Sequence, residues 1–369
     1  MKNKTILILG GYGATGRVIS RLLLKETDVN IIIAGRSIEK ANELSAVLNK
    51  EYPDNRTSAC FADASDYQSL LDAFKVVSMV LVASATTQHV KHVAEAALYS
   101  GIDYLDIHYQ QNIVPVLNEL VPKIENSGLC FITQAGFHPG LPSVFVRHAA
   151  PHFDQYKKAI IAMAMNIRIE KSESIYEIVD EISDYKADIF KDGKWKRGDY
   201  KDVKKIDLGP FFGVRPCFPI QLEEMRPLPG MFHLEDTGVY VAGFNWFVDN
   251  IVFPLAMILN KIKKGFGRDF IASLMVWGIN TFSPSRLSVY FVLEAEGEKQ
   301  GKPVKVRISA EHEEGYDFTA IPVVALILQY LDGTIKKPGL WMMGHLVDTG
   351  RLMNDMERMG VEIEVLITD

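Results

Sequence analysis

Cysteine is scarce in this chain: three residues in 369, at Cys60, Cys130 and Cys217. They are far apart and in no metal-ligand spacing, which excludes a disulfide scaffold and a cysteine-built metal site and predicts reduced, mostly buried thiols. No metal site is expected. A basic excess is also missing. With a formal net charge of −6, the chain has no surplus of cations to neutralise phosphates, so nucleic acid is not expected as its main partner. No apolar stretch provides the ~20 uninterrupted residues that a membrane-spanning helix needs. The start, Met1-Lys2-Asn3-Lys4-Thr5, runs into a strand of only a few apolar residues rather than a secretory signal, and a cytoplasmic location is expected. What remains is an ordinary globular composition, 48% hydrophobic and 23% charged, in a chain long enough for two domains.

The first part alternates β-rich runs with helical patterns. Strands are predicted at Ile6–Leu9, Asn30–Ala34, Ser58–Phe61, Met79–Ala83, Tyr104–Ile107 and Leu129–Thr133. Their nearly continuous Ile, Val and Leu content suits strands covered on both faces. Between them, residues such as Ala41, Leu44, Val47 and Leu48 recur at helical spacing. The order predicts an α/β domain over 1–150, a Rossmann-type doubly wound parallel sheet. After Pro151 the runs 161–169 and 287–293 alternate with period two, and Gly297–Gly301 separates two further strands as a hairpin. Turns are expected at Asp192-Gly193-Lys194 and Pro227–Gly230. A second, inserted α+β domain is therefore expected over 151–330, including a helix at 320–331, followed by a C-terminal segment over 331–369.

Directly after the first strand stands Gly11-Tyr12-Gly13-Ala14-Thr15-Gly16, followed by an amphipathic helix. In that position the pattern is a dinucleotide-binding loop. Gly11 makes the tight turn, Gly13 lets backbone approach a diphosphate, and Gly16 lets helix and strand close up. The end of the second strand selects the dinucleotide. An NAD enzyme carries an acid there for the ribose hydroxyls, whereas this chain reads Ala34-Gly35-Arg36-Ser37. Without an acid a 2′-phosphate is not repelled, and Arg36, assisted by Ser37, can hold it as a planar fork. NADP is the expected cofactor, ahead of NAD; the competing reading is a surface arginine beside a helix N-cap. Asp63 and Ala64, after the third strand, are either adenine contacts or turn residues. Ser84-Ala85-Thr86-Thr87, after the fourth, can lie beside the nicotinamide ribose or cap the next helix.

The cofactor would supply the hydride, leaving one proton for the protein to handle. Candidates lie after the fifth and sixth strands: Asp106, His108, Tyr109 and His138. Histidine titrates near neutrality, so His108 or His138 can exchange that proton. Arg215 and Arg226 are candidates for a substrate carboxylate. Residues 244–282 hold two apolar segments around the basic linker Lys261–Arg268, too many apolar side chains for one short helix face. A buried or dimer-forming helical hairpin is expected, ahead of a membrane-surface contact in which the linker meets anionic headgroups.

The loop Gly10–Gly16, Ala34–Ser37, Gly101–Asp106, Ala135–Ser143 and Lys337–Met343 together resemble the saccharopine dehydrogenase family. The resemblance implies an oxidoreductase that reduces an imine or oxidises an amine of an amino acid or polyamine. It also implies that the inserted domain, 151–330, supplies the substrate floor and often the dimer interface, and that residues 331–369 return to the first domain. The chain departs from the family at His138, where many members carry Asp, and in the hairpin at 244–282. Two other readings compete. An extended short-chain dehydrogenase would need Tyr-x-x-x-Lys on a helix, for which Tyr200–Lys204 is the only match. A non-catalytic NADP sensor would keep the loop without the proton-transfer groups.

Overall fold

The computed structural model describes residues 4–368 except 172, 184, 186 and 200, and leaves out the side chains at 173 and 174. The chain divides into two compact units. One runs up to Val144 and resumes over Tyr316–Met359; the other comprises Phe145–Gly315 and the last strand from Gly360 onward.

The first unit is built on a parallel sheet. Its strands are β1 (Thr5–Leu9), β2 (Asn30–Gly35), β3 (Thr57–Phe61), β4 (Met79–Val82), β5 (Asp103–Asp106) and β6 (Cys130–Thr133), joined by a seventh at Gly339–Met342. The order across the sheet is 339–342, β6, β5, β4, β1, β2, β3, so β1 lies between β4 and β2 at the switch point. Ile6, Leu7 and Ile8 of β1 and Met79, Val80, Leu81 and Val82 of β4 are wholly buried, as helices on both faces require. The register pairs Leu9 with Ala34 and with Val82. The loops that follow β1, β2 and β4 therefore emerge at one level, the carboxyl edge where doubly wound sheets bind ligands.

The return at 316 rather than 331 moves the helix Gly315–Leu331 out of the inserted domain and almost entirely into the first unit. Its side chains are buried on all sides, Phe318, Ile321, Val324 and Ile327 among them. A helix apolar all round belongs in an interior.

The second unit holds a mixed sheet in the order 204–207, 214–220, 236–242, 155–166, 288–299, 302–312, 362–368. Asp236–Ala242 and Gln155–Asn166 run parallel, which the period-two pattern alone did not foretell. The hairpin expected around Gly297–Gly301 tightens to two residues, Gln300 and Gly301, at φ of 52° and 74°. Asp192 and Gly193 repeat this geometry between Ala187–Lys191 and Lys194–Gly198. Positive φ at both positions is the turn whose twist matches its flanking strands. Pro227–Gly230, expected as a turn, instead leads into one helical turn at Leu228–Phe232. The tail also departs from expectation. Only Gly339–Met342 joins the first sheet, whereas Glu362–Thr368 pairs antiparallel with Lys302–His312 in the second.

Residues 244–282 form a π-turn at Val248–Val252 and helices Phe253–Ile262 and Arg268–Phe282. These pack with the helix Glu173–Ser183 through Val179, Val252, Ala256, Ile271 and Met275. Their outer side leaves Trp246, Ile258, Ile262, Phe266, Phe270 and Trp277 more than half exposed. Among the described residues no helix is long and apolar enough to cross a membrane.

Candidate active site

The glycine loop is shaped by backbone crowding. Gly10 turns at φ +84°, and a Cβ there would meet Cβ of Ser84 at 2.7 Å. A Cβ on Gly16 would lie 2.5 Å from the Gly10 carbonyl oxygen and 2.8 Å from Cα of Gly11. The helix α1 (Ala14–Glu26) starts at Gly13 with no side chain capping it and no acid in its first turn. Its leading amides and the positive end of its dipole therefore suit an anion. Ala14 is exposed, and Thr15 half-buried, at this end. Arg17, also exposed, donates from Nε to the Tyr12 carbonyl at 2.7 Å, which keeps its charge beside the loop. Sequence reasoning passed over Arg17; its signal is a cation in the first helical turn after the glycines.

Tyr12 ties this loop to the next. Its hydroxyl accepts from the Ser37 amide at 3.1 Å, and its ring lies so close to Gly35 that a Cβ there would be 2.6 Å away. Ser37 caps helix α2 (Ile38–Glu51), accepting from the Lys40 amide at 3.3 Å and donating to Glu39 at 2.9 Å. The N-cap reading thus describes Ser37. Arg36 is exposed and makes no ion pair among the described residues. It lies near enough to Asp63 to help lower that carboxyl's pKa, after the larger effect of the Ser65 amide. Asp63 Oδ1 accepts from the Ser65 amide and hydroxyl at 2.9 and 2.8 Å, the geometry of a turn residue. Ala64 buries its methyl in the core, leaving only its backbone for a ligand. After β4, Ser84 and Thr86 share a hydroxyl hydrogen bond of 2.9 Å, Ala85 is half-buried between them, and Thr86 caps nothing. The loop, the uncapped α1 start and the unpaired Arg36 fit a dinucleotide carrying a 2′-phosphate.

The ends of β5 and β6 are clamped together by Asp106, which is fully buried. Its Oδ1 accepts from the His108 amide at 3.1 Å and the Gln134 amide at 3.0 Å, and its Oδ2 from the Thr133 hydroxyl at 2.8 Å. Those bonds occupy the carboxylate inside the protein. Asp106 accordingly serves to position its neighbours and is unsuited to proton exchange with a substrate. Burial lowers the pKa of His108 and pushes that of His138 down to about 4. His108 Nε2 and His138 Nδ1 are buried without hydrogen-bond partners. The Phe137 and Tyr109 rings stand edge-on to the His138 ring, at 4.0 and 5.5 Å between centroids.

These shifts have a measurable consequence. A histidine buried in its neutral form has its folded pKa below the unfolded value of 6.5, so the unfolded chain binds more protons below that pH. Stability contributed by His138 is whole above pH ~6.5 and lost as the pH falls toward about 4. Asp249, raised by burial to about 6, acts in the opposite direction. The comparison must therefore be between melts of the ligand-free protein and of His138→Gln from pH 7 to 5. The wild type should lose the more stability, by roughly 1 kcal/mol after allowance for partial exposure. Parallel curves would mean that His138 titrates normally.

In the second unit, Arg226 is occupied. It pairs with Asp188, lies 3.8 Å from Glu223 and stacks 4.4 Å over Trp195. It is thus withdrawn as a carboxylate anchor, whereas Arg215 remains, close enough to Asp249 to temper that group's raised pKa. Arg268 of the basic linker is likewise engaged by Asp180, at 2.6 and 2.7 Å, leaving Lys261, Lys263 and Lys264 as its exposed cations. Tyr200 lies outside the described residues, and Lys204 opens a strand rather than continuing a helix. Among the described residues no cluster could hold a metal ion.

Residues 6–132 match the saccharopine dehydrogenase NADP binding domain. Over 241 residues the chain is 27% identical to the carboxyaminopropylagmatine dehydrogenase of Synechocystis sp., an alignment covering 60% of this chain and 58% of that protein. Over 402 aligned residues it is 22% identical to the carboxynorspermidine synthase of Vibrio alginolyticus, covering 96% and 95% of the two chains. The apo structure of saccharopine dehydrogenase (L-Glu forming) from Saccharomyces cerevisiae superposes over the full length of both chains, with a TM-score of 0.72 at 16% identity. That superposition shows a shared fold.

Proposed function

We propose that this chain, whose residues 6–132 match the saccharopine dehydrogenase NADP binding domain, is an oxidoreductase of that family that transfers hydride between NADP(H) and a carbon–nitrogen bond of a carboxylated polyamine or related amino acid derivative. The observation that carries this reading is the level carboxyl edge of the first sheet. There the uncapped start of α1 and unpaired Arg36 stand in one row with two neutral histidines after β5 and β6. A sensor would have no use for the latter. The substrate class follows the names of the two curated relatives.

When bound, the nicotinamide supplies the hydride chemistry. The chain's own part is to hold the substrate and move one proton. His138, uncharged at neutral pH and only half-buried, takes the proton released from the substrate nitrogen as an amine becomes an imine, and returns it in the reducing direction. Tyr109 packs against its ring; His108, 4% exposed, sits deeper and is the second candidate. An NADPH-oxidation screen with amines paired with aldehydes or keto acids tests the activity. Failure of every pair, alongside intact NADPH binding, would favour the sensor.

The three cysteines are free, and burial raises their thiols to about 11, 11 and 12. Such unreactive thiols suit a reducing compartment, and a cytoplasmic location belongs to this proposal. So does a homodimer that covers the exposed side of the hairpin, because apolar patches beyond a few hundred Å² are seldom left to water. Light scattering in detergent-free buffer should give twice the chain mass of 41.4 kDa. A clean monomer that sediments with anionic vesicles and is released by salt would assign that side to a membrane surface instead.

A further inference from the structure

We propose that Gln134 is the residue that recognises the nicotinamide carboxamide and so fixes how the reactive ring is seated. Gln134 follows β6, is 1% exposed, and has neither its Oε1 nor its Nε2 hydrogen-bonded. A buried amide with both ends unpaired is costly, and proteins seldom keep one without a use. Its backbone is also in the left-handed region, at φ 56°. A non-glycine residue holds that conformation only where its surroundings enforce it, and such residues gather at ligand sites. The enforcement is visible: the Gln134 amide is tied to the same Asp106 oxygen as the His108 amide.

The chemistry of the unpaired amide selects its partner. A carboxylate would satisfy Nε2 and leave Oε1 bare; an ammonium or guanidinium would do the reverse. Only a group with a donor beside an acceptor pairs with both ends, and a second carboxamide does so reciprocally. An NADP molecule offers two such groups, the nicotinamide carboxamide and the adenine edge. Position separates them. Arg36 anchors the adenosine end at β2, and β6 lies four strand spacings away, ~19 Å across the sheet. With the diphosphate at the loop after β1, the far end of the dinucleotide points toward β4, β5 and β6.

The inference rests on the NADP reading, and the test separates the two. Binding is measured by calorimetry for NADP⁺, for its 3-acetylpyridine analogue, in which a methyl replaces the amide nitrogen, and for 2′-phospho-ADP-ribose, which lacks the ring. The wild type should prefer NADP⁺ over the analogue by about fivefold, the worth of one net hydrogen bond. Gln134→Gly, which accommodates the positive φ, should abolish that preference while binding 2′-phospho-ADP-ribose as the wild type does. Equal wild-type affinity for NADP⁺ and the analogue would overturn the inference, as would a preference that survives in Gln134→Gly or an equal loss of all three ligands in that variant. A wild type that binds none of them would overturn the NADP reading itself.

Discussion

Turnover of His138→Gln should fall by about 10²–10⁴-fold, the range for loss of a proton-transfer group, with NADPH affinity unchanged. His138 lies after β6, away from the loops after β1 and β2 that we propose hold the phosphates, so its removal leaves those binding determinants in place. Glutamine keeps much of the shape and hydrogen-bonding capacity of imidazole but cannot accept a proton at neutral pH. The pH profile gives a second readout. Because burial holds His138 at about 4, amine oxidation should persist well below the pH at which an ordinary histidine would protonate, and that acid limb should vanish in the variant. His108→Gln is the companion measurement. If His108→Gln loses the activity and His138→Gln keeps it, the roles are exchanged; if both keep it, neither histidine moves the proton.

Arg36→Ala should cost about 10- to 150-fold in NADP(H) affinity and leave NAD(H) affinity nearly as it was. This is the 1.5–3 kcal/mol of a hydrogen bond to a charged group. The structure strengthens this expectation in one way and narrows it in another. Arg36 is exposed and without an ion pair among the described residues, so no internal bond need be broken before it meets a phosphate. Ser37, in contrast, is spent on the α2 cap and on Glu39, so Ser37→Ala should act mainly on helix stability, by ~1 kcal/mol. Calorimetric titration of both dinucleotides against both variants checks the pair. An unchanged preference in Arg36→Ala would remove Arg36 from the cofactor site.

Much of the nucleotide unit was legible because its signals are local. A glycine that lacks room for a Cβ, a strand covered on both faces and a cation in place of an acid at the end of β2 each leave a mark at one position in the chain. The histidines were legible as candidates because chain order alone puts them after β5 and β6. Gln134 was not. Nothing in Thr133-Gln134-Ala135 distinguishes a buried, unpaired amide from a surface one, and its left-handed backbone is set by a carboxylate 28 positions earlier. The hydrogen bonding of Asp106 was hidden for the same reason. Its residue type suits acid–base work, and only its three donors show that it is already committed.

The sequence by itself determined the doubly wound sheet, the phosphate loop and the bias toward NADP, since each depends on contacts between neighbours in the chain or on a repeated strand–helix order. The tertiary structure decided where the chain crosses between its units. It gave the helix Gly315–Leu331 to the first and the strand Glu362–Thr368 to the second. It also decided which charged groups remained available. Arg226 and Arg268 look as accessible in sequence as Arg36, yet Asp188 and Asp180, 38 and 88 positions away, have claimed them. The physical reason is the same in each case. Pairing and burial depend on which groups meet in space, and an unpaired side chain is recognisable only once all its possible partners have been placed.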